Sequence, residues 1–288
     1  MQKISPNVYA ETGWPFYSCN PGFLTTPEGI ILIDTPGRPS DAVRWGEGIL
    51  KRGEIRYILY TEFHEDHTAG NAYLPGVSIG HQETKKGLDG YIANVHAMRQ
   101  KLGRMFPEDQ GLLGKFQHRT LDITFSDRLS VYLDRQRCDL INLPGHTLGQ
   151  TAVYLPEEKV VFLGDNFTNG MQPSLSYCFP KEWVESLRTV LSLDVERVVP
   201  GHGKVGDKKD VERFAAFLQE CIAEVQRAID QGLTREEAAQ MISFENRLPT
   251  IHPGADQQRK NVLRLYEMLG NVQKVGQTFS IGVFGNGR

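Results

Sequence analysis

The stretch Thr61-Glu62-Phe63-His64-Glu65-Asp66-His67-Thr68-Ala69-Gly70-Asn71 constrains this chain more than any other. It follows the apolar run Tyr57-Ile58-Leu59-Tyr60 and precedes a segment that can start a helix at Thr68. It therefore reads as a loop leaving the end of a buried strand. Within it, Glu62, His64, Asp66 and His67 can each donate a lone pair. Imidazole and carboxylate together suit zinc, iron or manganese. Taken alone, the cluster reads equally as a solvated polar loop.

Three further blocks share its design. Leu143-Pro144-Gly145-His146-Thr147-Leu148-Gly149 follows a strand-like run, and Val160-Val161-Phe162-Leu163-Gly164-Asp165 ends another in a carboxylate. Val198-Val199-Pro200-Gly201-His202-Gly203 ends a third in a histidine. In a layered α/β fold, strand ends and the loops after them carry the site. Glycine beside each donor lets the backbone turn sharply enough to aim the side chain into a common cleft.

These four blocks, in this order, resemble the metallo-β-lactamase superfamily over roughly residues 7 to 205. Its pattern is His-x-His-x-Asp-His, then Gly-His, Gly-Asp and Gly-His. The resemblance implies an α/β fold, an αββα sandwich, and a site for two divalent metal ions; beyond it, helical periodicity from Asp207 onward reads as a helical C-terminal extension. His64 and His146 would belong to a first metal, and Asp66, His67 and His202 to a second. Asp165 would bridge them. The departure is Glu62, which stands where the family has its first histidine.

A cation lowers the pKa of bound water to about 7 and so makes a nucleophile at neutral pH. The expected activity is a metal-dependent hydrolase that uses such a hydroxide to cleave an ester, thioester, lactone or amide in a small, partly apolar substrate. Asp66 is the candidate catalytic residue, holding the water and passing on its proton. Glu62, if it ligates, adds an anion and a hard oxygen donor. Zinc is the expected metal, with iron or manganese brought in by Glu62. No G-x-S-x-G elbow supports a serine nucleophile. A second reading is a di-iron redox protein akin to the flavodiiron branch but without its flavin domain. A third is a non-catalytic module that uses the fold as a scaffold.

The 288 residues suffice for a sizeable core, and the net charge of -3 gives no footprint for nucleic acid or an anionic membrane. No apolar run is long enough to span a bilayer. Cys19, Cys138, Cys178 and Cys221 are scattered and form no disulfide framework, so a cytoplasmic protein is expected. Residues 1–205 read as the sandwich and 206–288 as a helical subdomain, with partners limited to a small-molecule substrate. The apolar tail from Val275 to Phe284 packs back or joins a second copy in a homodimer.

Along the chain, strands are expected before Asp34, which is a turn carboxylate or a residue that orients a ligand. A helix is expected at 39–53, capped by Ser40 or Asp41. Residues 83–117 exceed what a connection needs and show helical spacing, which predicts an insertion over the cleft. His96 and His118, in or beside it, read as surface or packing residues. Strands follow at 129–133, 138–143, 150–155 and 159–163. A helix runs from Pro180 to Leu193, a strand covers 196–200, and helices cover 208–231, 234–245 and 256–270. Trp14 and Phe16 form either a substrate-facing wall or plain core. Asn169 and Tyr177 are candidate donors to a developing oxyanion, or ordinary loop residues. His252 is a loop histidine or a substrate contact.

Overall fold

The computed structural model describes residues 1–12, 18–249 and 255–280, with side chains of the last segment described for 257–270. The chain opens with β1 (Gln2–Lys3), β2 (Val8–Ala10), β3 (Gly22–Thr26), β4 (Gly29–Ile33), α1 (Pro39–Leu50) and β5 (Ile55–Leu59). The short α2 (Glu65–Thr68) and β6 (Val77–His81) follow, then α3 (Gln82–Ala93), α4 (Val95–Met105) and α5 (Gln110–Leu113). After these come β7 (Ile123–Phe125), β8 (Arg128–Leu133), β9 (Gln136–Asn142), β10 (Thr151–Leu155), β11 (Val160–Phe162) and β12 (Thr168–Asn169). The chain continues through α6 (Pro180–Ser192), β13 (Arg197–Val199), β14 (His202–Gly203), α7 (Lys208–Asp230), α8 (Arg235–Met241) and α9 (Ala255–Ser280).

The strands form two main sheets. One runs β1-β2-β3-β4-β5-β6-β7 in spatial order and the other β13-β11-β10-β9-β8. The first is antiparallel as far as β4 and parallel from β4 to β7. Strand β4 shows how it is built. The four residues after Gly29 are all apolar, and a strand sends alternate side chains to opposite faces. Ile31 and Ile33 enter the core between the sheets with Leu140, Val153 and Phe162. Ile30 and Leu32 face the other way, onto Trp45 and Ile49 of α1 and Leu88 of α3. The second sheet repeats the pattern, with Val161 and Val198 turned outward into a core shared with α6, α7, α8 and α9. Helices thus cover both outer faces, and the order of layers is αββα.

Local details differ from the sequence expectations in instructive ways. Neither Ser40 nor Asp41 caps α1: Arg38 is the N-cap residue, and Pro39 takes the first turn, where its missing N–H is no loss. The Ser40 N–H donates instead to the Asp109 carboxylate, which arrives from the insertion at 3.1 Å. The expected insertion is three helices, α3 to α5, with a small core of Met98, Leu102, Phe106, Leu113 and Phe116 that also takes in Ala69 beside the metal-capable loop. Strand β7, the sheet edge, was not anticipated: Ile123 and Thr124 are exposed and carry no burial pattern. Helix α9 runs to Ser280, beyond the expected end at 270. Thr234 and Glu237 form a capping box at the start of α8. Among the described residues, no helix is long and apolar enough to cross a membrane.

Candidate metal centre

Each donor sits just past a strand end. The loop after β5 carries Glu62, His64, Asp66 and His67. His146 follows β9, Asp165 follows β11, and His202 follows β13. Backbone hydrogen bonds lash these loops together. The Thr151 N–H donates to Thr61 O at 2.7 Å, Gly201 N–H to Gly164 O at 2.7 Å, and Asn20 N–H to Gly201 O at 2.7 Å. Thr168 and Asn169 of β12 pair in parallel with His202 and Gly203 of β14, which fixes the Asp165 loop to the His202 loop. Gly201 must be glycine for space: a Cβ there would lie 2.0 Å from Asp165 Oδ1 and 2.7 Å from the Gly164 carbonyl carbon.

The donor atoms converge. His64 Nδ1 lies 2.6 Å from Glu62 Oε2 and 3.3 Å from His146 Nε2. His146 Nε2 is 3.6 Å from Glu62 Oε1 and 3.7 Å from Asp165 Oδ2. On the other side, His202 Nε2 is 3.2 Å from Asp66 Oδ2 and 3.3 Å from Asp165 Oδ1. His67 Nε2 is 3.3 Å from Asp165 Oδ1, 3.9 Å from Asp66 Oδ2 and 3.5 Å from Glu62 Oε1. The atoms thus fall into two groups that meet at Asp165 and Glu62. Glu62 is fully buried and turned into the cluster.

Four side chains hold the donors from behind. Asp34 closes β4 with φ of +55°, a left-handed conformation that aspartate tolerates better than most residues. Its carboxylate accepts the Thr61 N–H at 2.8 Å and the Thr61 hydroxyl at 2.6 Å. It also lies 2.9 Å from His67 Nδ1, which leaves His67 Nε2 aimed at the cluster. The Asn166 side chain accepts the His146 N–H at 2.8 Å, while the Asn166 backbone carbonyl accepts the Trp183 indole N–H at 2.9 Å. Asn20 donates to the carbonyls of Pro200 and Gly203 on either side of His202. The sequence reading anticipated a role of this kind for Asp34. It overlooked Asn166, Trp183 and Asn20, which lie far along the chain from the histidines they support.

The residues present fit cations. Glu62 Oε1 and Oε2, His67 Nε2 and Asp165 Oδ1 are buried and make no directed hydrogen bond. Buried polar atoms ordinarily have partners. Four-coordinate zinc with bonds of about 2.1 Å sets its ligand atoms roughly 3.4 Å apart, close to the spacings seen here. Burial pushes the Asp165 carboxyl up, but His202 and His67 outweigh it and hold the group well below the usual carboxylate range. Burial likewise raises Glu62, and His64 and His146 bring it below its ordinary value. Burial lowers His202, yet Asp165 and Asp66 bring it up to about 10. The carboxylates are therefore ionised and face inward.

A cleft of about 210 Å³ opens over the cluster. His64, Asp66, His146, Asp165 and His202 line its floor. Its walls come from Lys101 of α4, Ser174 of the loop after β12 and Gln257 of α9, none of which the sequence singled out. Tyr177 stands near the mouth, exposed, its ring 5.3 Å from that of His64. Asn169 does not line the cleft: its amide donates to the Lys204 carbonyl at 2.9 Å. Trp14, Phe16 and His252 lie outside the described residues.

A helix-covered double sheet with imidazoles and carboxylates gathered at its strand ends defines a metal-binding αββα class. Within that class the chain belongs to the metallo-beta-lactamase superfamily, whose sequence profile matches residues 14–202. It is 28% identical over 182 residues to the 2,4-dinitroanisole O-demethylase subunit alpha of Nocardioides sp., covering 60% of this chain and 49% of that one. It is 25% identical over 240 residues to the beta-lactamase-like protein 2 homolog of Caenorhabditis elegans, covering 82% and 72%. The chain thus spans about half the length of the first relative and most of the second. A metallo-beta-lactamase family protein of Thermus thermophilus superposes with a TM-score of 0.68 at 18% identity, over 94% of this chain and 95% of that one. At that identity the likeness shows the fold.

Proposed function

We propose that the chain is a metal-dependent hydrolase of a small substrate with an ester, thioester, lactone or amide bond. The observation that carries this reading is the set of buried donors without hydrogen-bond partners, open on one side to a cleft. In this reading Glu62, His64 and His146 would hold one divalent ion and Asp66, His67 and His202 a second, with Asp165 within reach of either. Such ions, when bound, supply Lewis acidity and make a nearby water more acidic.

The chain's own groups divide the remaining work. Among the cluster's carboxylates Asp66 is the more open, with its side chain 18% exposed against 0% for Glu62. Asp66 takes the proton of the attacking water as its oxygen bonds to the scissile carbonyl, and returns it to the departing oxygen, sulfur or nitrogen. Tyr177, beside His64, donates to the developing oxyanion. Asp34 keeps His67 in one tautomer and orientation through the contact at Nδ1.

Glu62 puts an oxygen donor where the family has a nitrogen, which moves preference from zinc toward iron or manganese. Its inward orientation also favours a second reading, a di-iron redox centre. Metal analysis and a panel of chromogenic esters, thioesters and lactones separate the two. The hydrolase reading expects two ions per chain, turnover on part of the panel, and its loss in His67→Ala. Iron with visible absorption and no turnover would favour redox chemistry, and a purified protein that binds no metal under any loading condition would defeat both.

A further inference from the structure

We propose that Asn261 and Gln258 of α9 are positioning residues that set the width of the cleft, and that they thereby limit the substrate to a short acyl group. The proposal rests on the hydrolase reading of the same site and adds the size of the substrate and the device that selects it.

One wall of the cleft is the run Gln172-Pro173-Ser174, in the loop between β12 and α6. Side chains of α9 reach every residue of it. Asn261 Oδ1 accepts the Leu175 N–H at 2.8 Å, and Asn261 Nδ2 donates to the Pro173 carbonyl at 3.2 Å. Gln257 Nε2 donates to Ser174 Oγ at 3.3 Å and to Asn261 Oδ1 at 2.8 Å. Gln258 Nε2 donates to Gln172 Oε1 at 2.6 Å, while Gln258 Oε1 accepts the Phe244 N–H at 3.1 Å. The Gln172 N–H donates to the Pro249 carbonyl at 2.7 Å, and its side-chain amide donates to the Leu248 carbonyl.

Gln172, Gln258 and Asn261 are all buried. A buried amide costs stability unless it is hydrogen-bonded, and each of these has both its oxygen and its nitrogen engaged. The docking of α9 does not depend on them, because Val262, Leu265 and Leu269 bury the helix in the core shared with α6 and α7. Apolar contact tolerates many positions of a loop against a helix, whereas directional amide bonds admit few. What the amides add is a fixed place for the wall. The cleft in front of it holds about 210 Å³, room for a small group. While the wall is fixed, a long acyl chain has no space. Once the amides are cut, residues 172–174 can withdraw and admit one.

The test compares 4-nitrophenyl butyrate with 4-nitrophenyl octanoate on metal-loaded protein. The wild type is expected to favour the butyrate ester in kcat/KM. Asn261→Ala and Gln258→Ala are each expected to raise the octanoate-to-butyrate ratio about tenfold or more, through the KM of the longer ester, since even single methylenes in a pocket carry effects of that order. Asn261→Asp keeps the acceptor for the Leu175 N–H and loses the donor to Pro173. It is expected to shift the ratio less, and it keeps the test open if an alanine variant does not fold. A purely structural role would lower turnover of both esters alike and leave the ratio where it was. An unchanged ratio in the folded variants, or a wild type that prefers octanoate, overturns the proposal. If neither ester turns over in the wild type, the hydrolase reading suffers first, and calorimetric binding of butyrate and octanoate decides for the wall. A gain of about tenfold for octanoate relative to butyrate in Asn261→Ala supports it, and an unchanged ratio refutes it. Metal content and thermal unfolding of each variant confirm that the comparison is between folded, loaded proteins.

Discussion

At the scale of single residues, the site is a contest between burial and charge. Burial opposes every ion in the cluster, and the neighbouring opposite charges override it for Glu62 and Asp165. Asp34 makes this concrete, because it touches no entering cation yet fixes the imidazole that would. Asp34→Ala is expected to weaken metal binding about 10- to 100-fold, measured by competition with a chelator of known affinity. Glu62→His replaces an oxygen donor with nitrogen. It is expected to shift selectivity toward zinc over manganese, read by loading the protein from an equimolar mixture and analysing what is retained. His118 offers a test away from the metals. It is buried against Tyr91 and Phe116, its ring nitrogens make no hydrogen bond, and burial lowers it to about 4. The unfolded chain binds that proton near pH 6.5 and the folded chain refuses it. Stability is therefore full above about 6.5 and falls toward pH 4, by an amount on the order of 3 kcal/mol. His118→Leu should flatten this acid limb in urea unfolding at pH 7.5 and 5.

At the scale of elements, strand ends deliver donors and glycines allow the delivery. Gly201→Ala is expected to cost about 1–3 kcal/mol or more and to dislodge Asp165, since the added carbon would meet a carboxylate oxygen and backbone together. Chemical denaturation and metal content check it. What the sequence made legible follows the same logic. An apolar run ending in glycine and a donor states in a few residues both its strand and its place in the site, so His146, Asp165 and His202 could be read locally, as could Glu62 and His64 from the crowding of donors after Tyr60. The supports could not. Asn166 and Trp183 act together through a fold in which α6 lies behind His146, and Lys101 and Gln257 reach the cleft from helices more than 30 residues from any donor. Asn169 looked like a cleft residue because it follows Asp165 closely. Its strand pairs with β14, and the Lys204 carbonyl takes its amide.

At the scale of the whole molecule, separate apolar clusters fill the space between the two sheets and beneath each helical layer, while the metal-capable cluster holds inward-facing carboxylates and imidazoles. Bound ions should therefore stabilise the fold by mass action, about 4 kcal/mol when free metal exceeds its dissociation constant a thousandfold. Chelation is expected to lower the melting temperature of the wild type, and to lower that of His67→Ala by less, as scanning calorimetry would show. The cleft itself is a composite: its floor belongs to the strand-end loops, one wall to α4 and another to α9. A chain built this way can acquire new selectivity by recombination. Exchanging the segment around Lys101, or the final helix with Gln257, would redraw what enters while leaving the cluster of imidazoles and carboxylates untouched.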